Sequence, residues 1–371
     1  MELAPASAVS NLKRRAERLA KALRSAGLEG AIIAPGPNLV YYSGVRAHLF
    51  ERPFLLLVQS DGEAHLLAPK LEAGPFRGSI PLTVHAWDDT EGPSGAIKEL
   101  IAGINAKGTW GCEGRVPFGF LDNLLSKGLK VKPADGVLQS IREVKEPEEL
   151  KLLKRSAAIL SGCILKVPDA LREGMTEKEL SRFIFDDAMA SGSDEVDPMV
   201  QSGGRAADPH SVTSTRKIGR GESVVVDVVS SHAGYSADIT RTFVIGGDGD
   251  VEKAYRSVLS AQQKAIDSVK AGVATGRVDA AARDSLKKDG LAKYFIHRTG
   301  HGLGLEVHEA PYIVARGKEL LRPGMVFTVE PGAYVPGKLG VRIEDDIAIS
   351  KGGDGEVITE KVPKEYGWWR K

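Results

Sequence analysis

The residues that could do chemistry lie in the second half of the chain. Val224 to Thr242 reads VVVDVVSSHAGYSADITRT, two strand-like stretches split by Ser230, Ser231, His232, Ala233 and Gly234. That pattern predicts a β-hairpin. With the turn centred on His232 and Ala233, Asp227 and Asp238 are expected directly opposite one another, carboxylates on one face. Like charges so placed are destabilising, so a buried pair would share a proton or hold a cation. Two turn-flanking aspartates in solvent are the plain alternative.

His297 to Pro311 reads HRTGHGLGLEVHEAP. Gly300, Gly302 and Gly304 strip side-chain bulk from around His301 and permit close approach of a ligand. His301 is therefore a candidate metal ligand, and His308 a candidate substrate contact. No Lys-Ser/Thr pair follows these glycines, which excludes a P-loop. Glu330 closes the apolar stretch MVFTV just before Pro331 and Gly332. A carboxylate there is expected to be paired or metal-bound. In GVRIEDDIAI, strand periodicity places Arg342, Glu344 and Asp346 on one face, with Val341, Ile343 and Asp345 on the other. Four carboxylates and one imidazole suit Mn, Co, Fe or Zn. Two such ions about 3.5–4 Å apart, sharing carboxylates, generate hydroxide at neutral pH and polarise a carbonyl. That chemistry is hydrolysis.

The elements that must position these groups are legible in outline. The 371 residues allow one large or two medium domains. In the first part, a helix carrying Leu12, Ala16, Leu19 and Leu23 precedes strand-like pieces at 31–34, 54–58, 64–68, 82–87 and 109–112, with a helical stretch near 96–102. Strands and helices alternate, as in a small α/β domain. His48, His65 and His85 are isolated there and read as surface or structural residues. Pro133, Asp135 and Gly136 predict a loop, and a boundary is expected between residues 140 and 141. Pro147, Glu148 and Glu149 open a helix, and Thr176 to Glu179 forms a capping box for a second. After the hairpin, a long amphipathic helix over 251–271 and another near 278–286 repeat that order. The repeat suggests a pseudo-two-fold α+β domain.

Composition narrows the function class. Fifty basic and 49 acidic residues leave a net charge of +1, which argues against nucleic acid or an anionic membrane as partner. Two distant cysteines fit a reducing compartment. With no signal-peptide core and no apolar run of spanning length, a cytoplasmic protein is expected.

These motifs resemble the pita-bread metallopeptidases: methionine aminopeptidase, aminopeptidase P and prolidase (Xaa-Pro dipeptidase). The family's Asp, Asp, His, Glu, Glu ligand order maps onto Asp227, Asp238, His301, Glu330 and Glu344, and the flanking GYSADITRTF, GHGLGLEVHEAP, VEPG and VRIEDD also match. The first domain is similar to the creatinase-type N-terminal domain. The resemblance implies two divalent ions (Mn, Co or Zn), with Asp227 on one, His301 and Glu330 on the other, and Asp238 and Glu344 bridging. It implies Glu330 as general base, and His210 and His308 as catalytic and substrate-binding residues. It also implies Thr240 beside Asp238, Arg342 orienting substrate or Glu344, and a homodimer. The VRIEDD text and two-domain length favour the prolidase and aminopeptidase P branch. An Xaa-Pro bond has no N–H, so a histidine that protonates the departing imino nitrogen is useful.

Two departures stand out. Val228 and Val229 follow the first ligand where the family often has x-Gly. Tyr312 follows Pro311 where many prolidases carry an arginine that grips the dipeptide carboxylate. Arg342 or a residue of the first domain, including a partner subunit's, could substitute. The expected activity is Xaa-Pro dipeptidase. Xaa-Pro aminopeptidase action on longer peptides, a catalytically silent binding protein and metal-free creatinase-type chemistry are the alternatives.

Overall fold

The computed structural model describes residues 6–76, 82–247, 249–359 and 361–370, with side chains from residue 11 onward. These residues fall into two compact units that divide between Arg142 and Glu143.

The first unit carries strands β1 (Gly30–Ile33), β2 (Leu55–Gln59), β3 (Ala64–Pro69), β4 (Thr83–Trp87), β5 (Thr109–Cys112) and β6 (Lys130–Pro133). They form one mixed sheet in the order β4-β3-β2-β1-β5-β6. Helices α1 (Ala6–Ser25), α2 (Pro37–Ser43), α3 (Ser94–Gly103), α4 (Phe118–Leu125) and α5 (Asp135–Arg142) accompany it. Ile32, Leu55, Leu57, Leu67, Leu100 and Trp110 are among its buried core. Two expectations change here. The expected loop around Asp135 and Gly136 is helix α5, because Leu138 and Ile141 recur at helical spacing and are buried. His65 and His85 are not isolated. They lie on the paired strands β3 and β4, are buried, and share a hydrogen bond of 3.1 Å between Nδ1 of His65 and Nε2 of His85.

The second unit repeats a long helix, a shorter helix and strands. Helices α6 (Pro147–Ala170) and α7 (Glu177–Ala190) precede β7 (Glu195–Ser202), β8 (Ser223–His232) and β9 (Tyr235–Val244). Both helices open on capping boxes, Glu146 with Glu149 and Thr176 with Glu179. Helices α8 (Gly249–Asp267) and α9 (Thr275–Lys288) precede the remaining strands. These are β10 (Gly300–Gly302), β11 (Glu309–Ile313), β12 (Val326–Val329), β13 (Gly332–Val335), β14 (Leu339–Arg342), β15 (Asp345–Ile349) and β16 (Gly355–Val357). One sheet runs β7-β8-β9, another β11-β10-β12-β15-β16, and β13 pairs β14. Val224, Val226, Val228, Ala237, Ile239 and Phe243 turn one face of the hairpin into the core formed with α6 and α8. The other face is left for the site.

The hairpin register differs from the expected one. His232 pairs Tyr235, so the turn is Ala233-Gly234, with φ of 50° and 81°. A two-residue turn that follows strand twist needs positive φ at both positions, and Gly234 supplies the second without steric cost. Asp227 therefore stands opposite Thr240, and Asp238 opposite Val229. The two aspartates share a face as diagonal neighbours and escape the direct opposition of like charges.

Candidate metal centre and its cavity

Three strands deliver the remaining donors to the hairpin. The last recorded pair of the β12–β15 ladder is Val329 with Asp345. Glu330 follows β12 directly and Glu344 precedes β15 directly, so both carboxylates leave the same end of one ladder. His301 sits in β10, and Gly302 of that strand pairs Phe327 of β12. A Cβ on Gly300 would run into the Thr328 carbonyl oxygen, and one on Gly302 into that of Ala310. The glycines beside His301 thus allow strand packing as well as ligand access. Hairpin and ladder meet where Glu344 N donates to Thr240 O at 3.1 Å and Asp238 N donates to Oδ2 of Asp346 at 3.1 Å.

On the far side of the chain, Arg241 and Asp345 are fully buried and bonded at 2.8 Å. Burial works against the Asp345 carboxylate, but Arg241 and Lys364 hold it below the usual range. Arg241 also donates to the Glu344 carbonyl. The strand entering the site is therefore clamped from behind.

One ligand atom from each of Asp238, His301 and Glu344 lies within 4.8 Å of the others, and all three residues are buried. Nε2 of His301 is 3.8 Å from Oδ2 of Asp238 and 3.3 Å from Oε1 of Glu330. Nδ1 of His301 faces the Gly302 carbonyl at 3.2 Å. A carbonyl only accepts, so Nδ1 carries the proton and Nε2 presents its lone pair to the carboxylates. Asp227 stands at the edge of this cluster. Its Oδ2 accepts from Arg342, while its Oδ1 is buried without a hydrogen-bond partner. Oδ1 of Asp238 is likewise orphaned.

The electrostatics follow from that crowding. Burial, then Glu344 and Asp227, push the Asp238 carboxyl well above its usual range. Burial, then Glu330 and Asp227, do the same to Glu344. Glu330 is raised to about 7 by burial and by Asp227, against the pull of Arg342. His301 is held neutral, at about 3, by burial first and then by His308. Buried carboxylates that repel one another, two orphaned oxygens and a neutral imidazole with its lone pair inward are what a divalent cation neutralises. The donor set fits a metal centre.

These residues line a cavity of about 400 Å³. His210 and His308 also line it, and both are exposed. The rings of His301 and His308 are 4.2 Å apart. Thr240 donates its hydroxyl to Oε2 of Glu344 and accepts from Nε of Arg342 at 3.1 Å. Arg342 is buried and also donates to Asp227 and to the Tyr334 hydroxyl, the latter at 2.9 Å. The expected site residues Asp227, Asp238, His301, Glu330, Glu344, His210, His308 and Arg342 all reach this one cavity. Thr240 stands directly behind it.

Sequence reasoning left several neighbours without a role. His297 accepts at Nε2 from Tyr334 at 2.8 Å, which extends the Asp227–Arg342–Tyr334 chain of bonds. Asp197 and Met199 of β7 reach the cavity because they pair with Val229 and Asp227 of β8. Arg298 lines it from the loop before β10. For His297 and Arg298 the signal was present, since they open the HRTGH motif. Tyr334, four residues past Glu330, carried none.

Comparison with known proteins agrees with this geometry. Residues 151–351 match the model of metallopeptidase family M24, and residues 15–144 match the creatinase/prolidase N-terminal domain. The chain is 39% identical over 361 residues to the probable dipeptidase PepE of Mycobacterium tuberculosis, covering 95% of each chain. It is 31% identical to the Xaa-Pro dipeptidase of Pyrococcus horikoshii, covering 92% of this chain and 96% of that one. Its fold superposes on a crystal structure of a Pyrococcus horikoshii dipeptidase with a TM-score of 0.90, at 36% identity, covering 95% of this chain and 99% of that one. The chain belongs to metallopeptidase family M24, with a creatinase/prolidase-type N-terminal domain ahead of its catalytic domain.

Proposed function

We propose that the protein is a dinuclear metal-dependent Xaa-Pro dipeptidase. The observation that carries this reading is the cluster of Asp227, Asp238, His301, Glu330 and Glu344 in one cavity, with orphaned oxygens on both aspartates. Asp227 would hold one ion, His301 and Glu330 the other, and Asp238 and Glu344 both. Mn, Co or Zn bound there would supply Lewis acidity toward the peptide carbonyl and lower the pKa of water.

The remaining steps fall to side chains. Glu330 takes the proton of the attacking water. His308, beside His301, donates to the oxygen of the tetrahedral centre. His210 serves the imino nitrogen, which must gain a proton to leave. Thr240 and Arg342 position Glu344 and Asp227. A cavity of about 400 Å³ accommodates a small peptide. Two free, buried cysteines support a reducing, cytoplasmic setting, and the homodimer is carried from the family resemblance.

Tyr312, where many prolidases carry arginine, keeps aminopeptidase action on longer peptides as the second reading. The test is hydrolysis of Ala-Pro, Ala-Pro-Ala and Ala-Ala by metal-stripped protein before and after Mn, Co or Zn is restored. Metal-dependent cleavage of Ala-Pro alone is expected. Cleavage of Ala-Pro-Ala as well favours the second reading, and cleavage of neither with any metal removes both.

A further inference from the structure

We propose that the buried ion pair of Lys145 and Glu309 is the device that positions His308 in the cavity, and that residue 304 is glycine to leave room for it. The inference rests on the Xaa-Pro dipeptidase reading for what His308 does. It adds two positioning residues, neither of which lines the cavity.

Lys145 donates from Nζ to Oε1 of Glu309 at 2.6 Å, and the two side chains are 1% and 3% exposed. Burying two charges is costly, and an apolar pair of similar volume often stabilises a fold as well or better. What a short charge-assisted bond adds is fixed geometry. Glu309 adjoins His308 in the sequence and stands opposite Gly302 in the β10–β11 ladder, where the register shifts. Lys145 is itself anchored. Its backbone N–H donates to the Gly324 carbonyl at 2.8 Å, and Val144 bridges Met325 just ahead of β12. The loop between β10 and β11 is thereby pinned, at the residue after His308, to the chain entering α6. His308 needs such an anchor, because it is exposed and among the described residues no hydrogen bond holds its ring.

The third glycine of GHGLGLEVHEAP belongs to the same device. A Cβ on Gly304 would lie 2.6 Å from Oε1 of Glu309 and 3.1 Å from Cε of Lys145. The Gly304 carbonyl accepts from the Ser236 N–H at 2.8 Å, so the backbone cannot retreat without breaking its tie to β9.

The test exchanges both charges at once, in Lys145→Met/Glu309→Met, so that neither is stranded. Ala-Pro turnover, bound Mn and the circular dichroism spectrum are measured. The spectrum and the two ions per chain should be kept, with KM little changed. The kcat should fall about ten- to a hundredfold, as for a misplacement of about 1 Å. In a His308→Ala background the same exchange should change kcat less than about twofold, since residues that act through one another are not additive. Gly304→Ala, which displaces the pair with its charges intact, should reproduce both results. An equal loss with and without His308, full turnover in both variants, or loss of metal would overturn the proposal. The His308 Cε1–Hε1 resonance of Zn-loaded protein, identified by its absence from His308→Ala, reads the ring without hydrolysis. It should be single in the unaltered protein and broadened or split in both variants, and an unchanged resonance would overturn the proposal. A changed resonance in a protein that cleaves no Ala-Pro would uphold the hold on His308 and remove the dipeptidase reading.

Discussion

Asp227 and Arg342 form an ion pair of 2.5 Å at the wall of the cavity, 14% and 4% exposed. One carboxylate oxygen is thereby committed to the protein and the other left for a cation. Removing one partner of a buried pair costs about 3–5 kcal/mol, because the other charge is stranded. Arg342→Met should lower the thermal midpoint of metal-stripped protein accordingly. Added Mn should recover more of the loss than it adds to the unaltered protein, since the ion then compensates Asp227. Equal stabilisation of both proteins by Mn would contradict this.

Thr240 orients a ligand without touching the cavity. Its hydroxyl donates to Glu344 and accepts from Arg342. Thr240→Val keeps the shape and deletes both bonds. Groups behind a metal ligand typically contribute about 10–100-fold in metal affinity. Titration of the variant with Mn should show a loss of that order, and unchanged affinity would mean that Glu344 is held by its backbone alone.

His308 is assigned to the transition state rather than to substrate capture. His308→Ala should lower kcat by about a hundredfold or more while changing KM little. An effect confined to KM would demote it to a binding contact.

The metal-free protein should lose stability on the alkaline side of the histidine range. His297 and His301 are lowered from 6.5 to about 3, chiefly by burial. A base with a depressed folded pKa contributes stability above 6.5 that is lost as the pH falls. Glu330 is raised from 4.5 to about 7, so its contribution is lost as the pH rises through that value. The trends oppose one another between 4.5 and 6.5, and only the carboxyl trend survives above. The thermal midpoint of metal-stripped protein should therefore fall as the pH rises from 6.5 through about 7. Excess Mn, which binds the deprotonated ligands, should remove that fall. A flat metal-free profile would show that the carboxylates are not crowded.

Much of this site was legible because Asp227 and Glu330 interrupt apolar strands and glycines flank His301. Asp227 within a valine run and Glu330 at the end of MVFTV are costly unless something neutralises them. Helix starts were legible for a similar reason, as Thr176 and Glu179 declare their cap. The hairpin register was not. It depends on which two residues adopt positive φ, and Ala233-Gly234 competes with His232-Ala233 until the twist of both strands is known. Helix α5 was hidden by a glycine that its second position tolerates. The pairing of His65 with His85 needed the parallel alignment of β3 and β4. Tyr334 acts through tertiary neighbours, its hydroxyl meeting Arg342 and His297, and no local pattern announces it.

The most direct test of the metal assignment is to count ions in unaltered protein and in Asp238→Asn after equilibration with Mn, and to measure Ala-Pro turnover on the same samples. Asp238 is 5% exposed, its Oδ1 has no protein partner, and it shares a donor cluster with His301 and Glu344. The account predicts two ions per chain in the unaltered protein. In Asp238→Asn it predicts loss of bound metal and of turnover, with an unchanged circular dichroism spectrum. Full turnover by Asp238→Asn, or an unaltered protein that hydrolyses Ala-Pro with no ion bound, would contradict it.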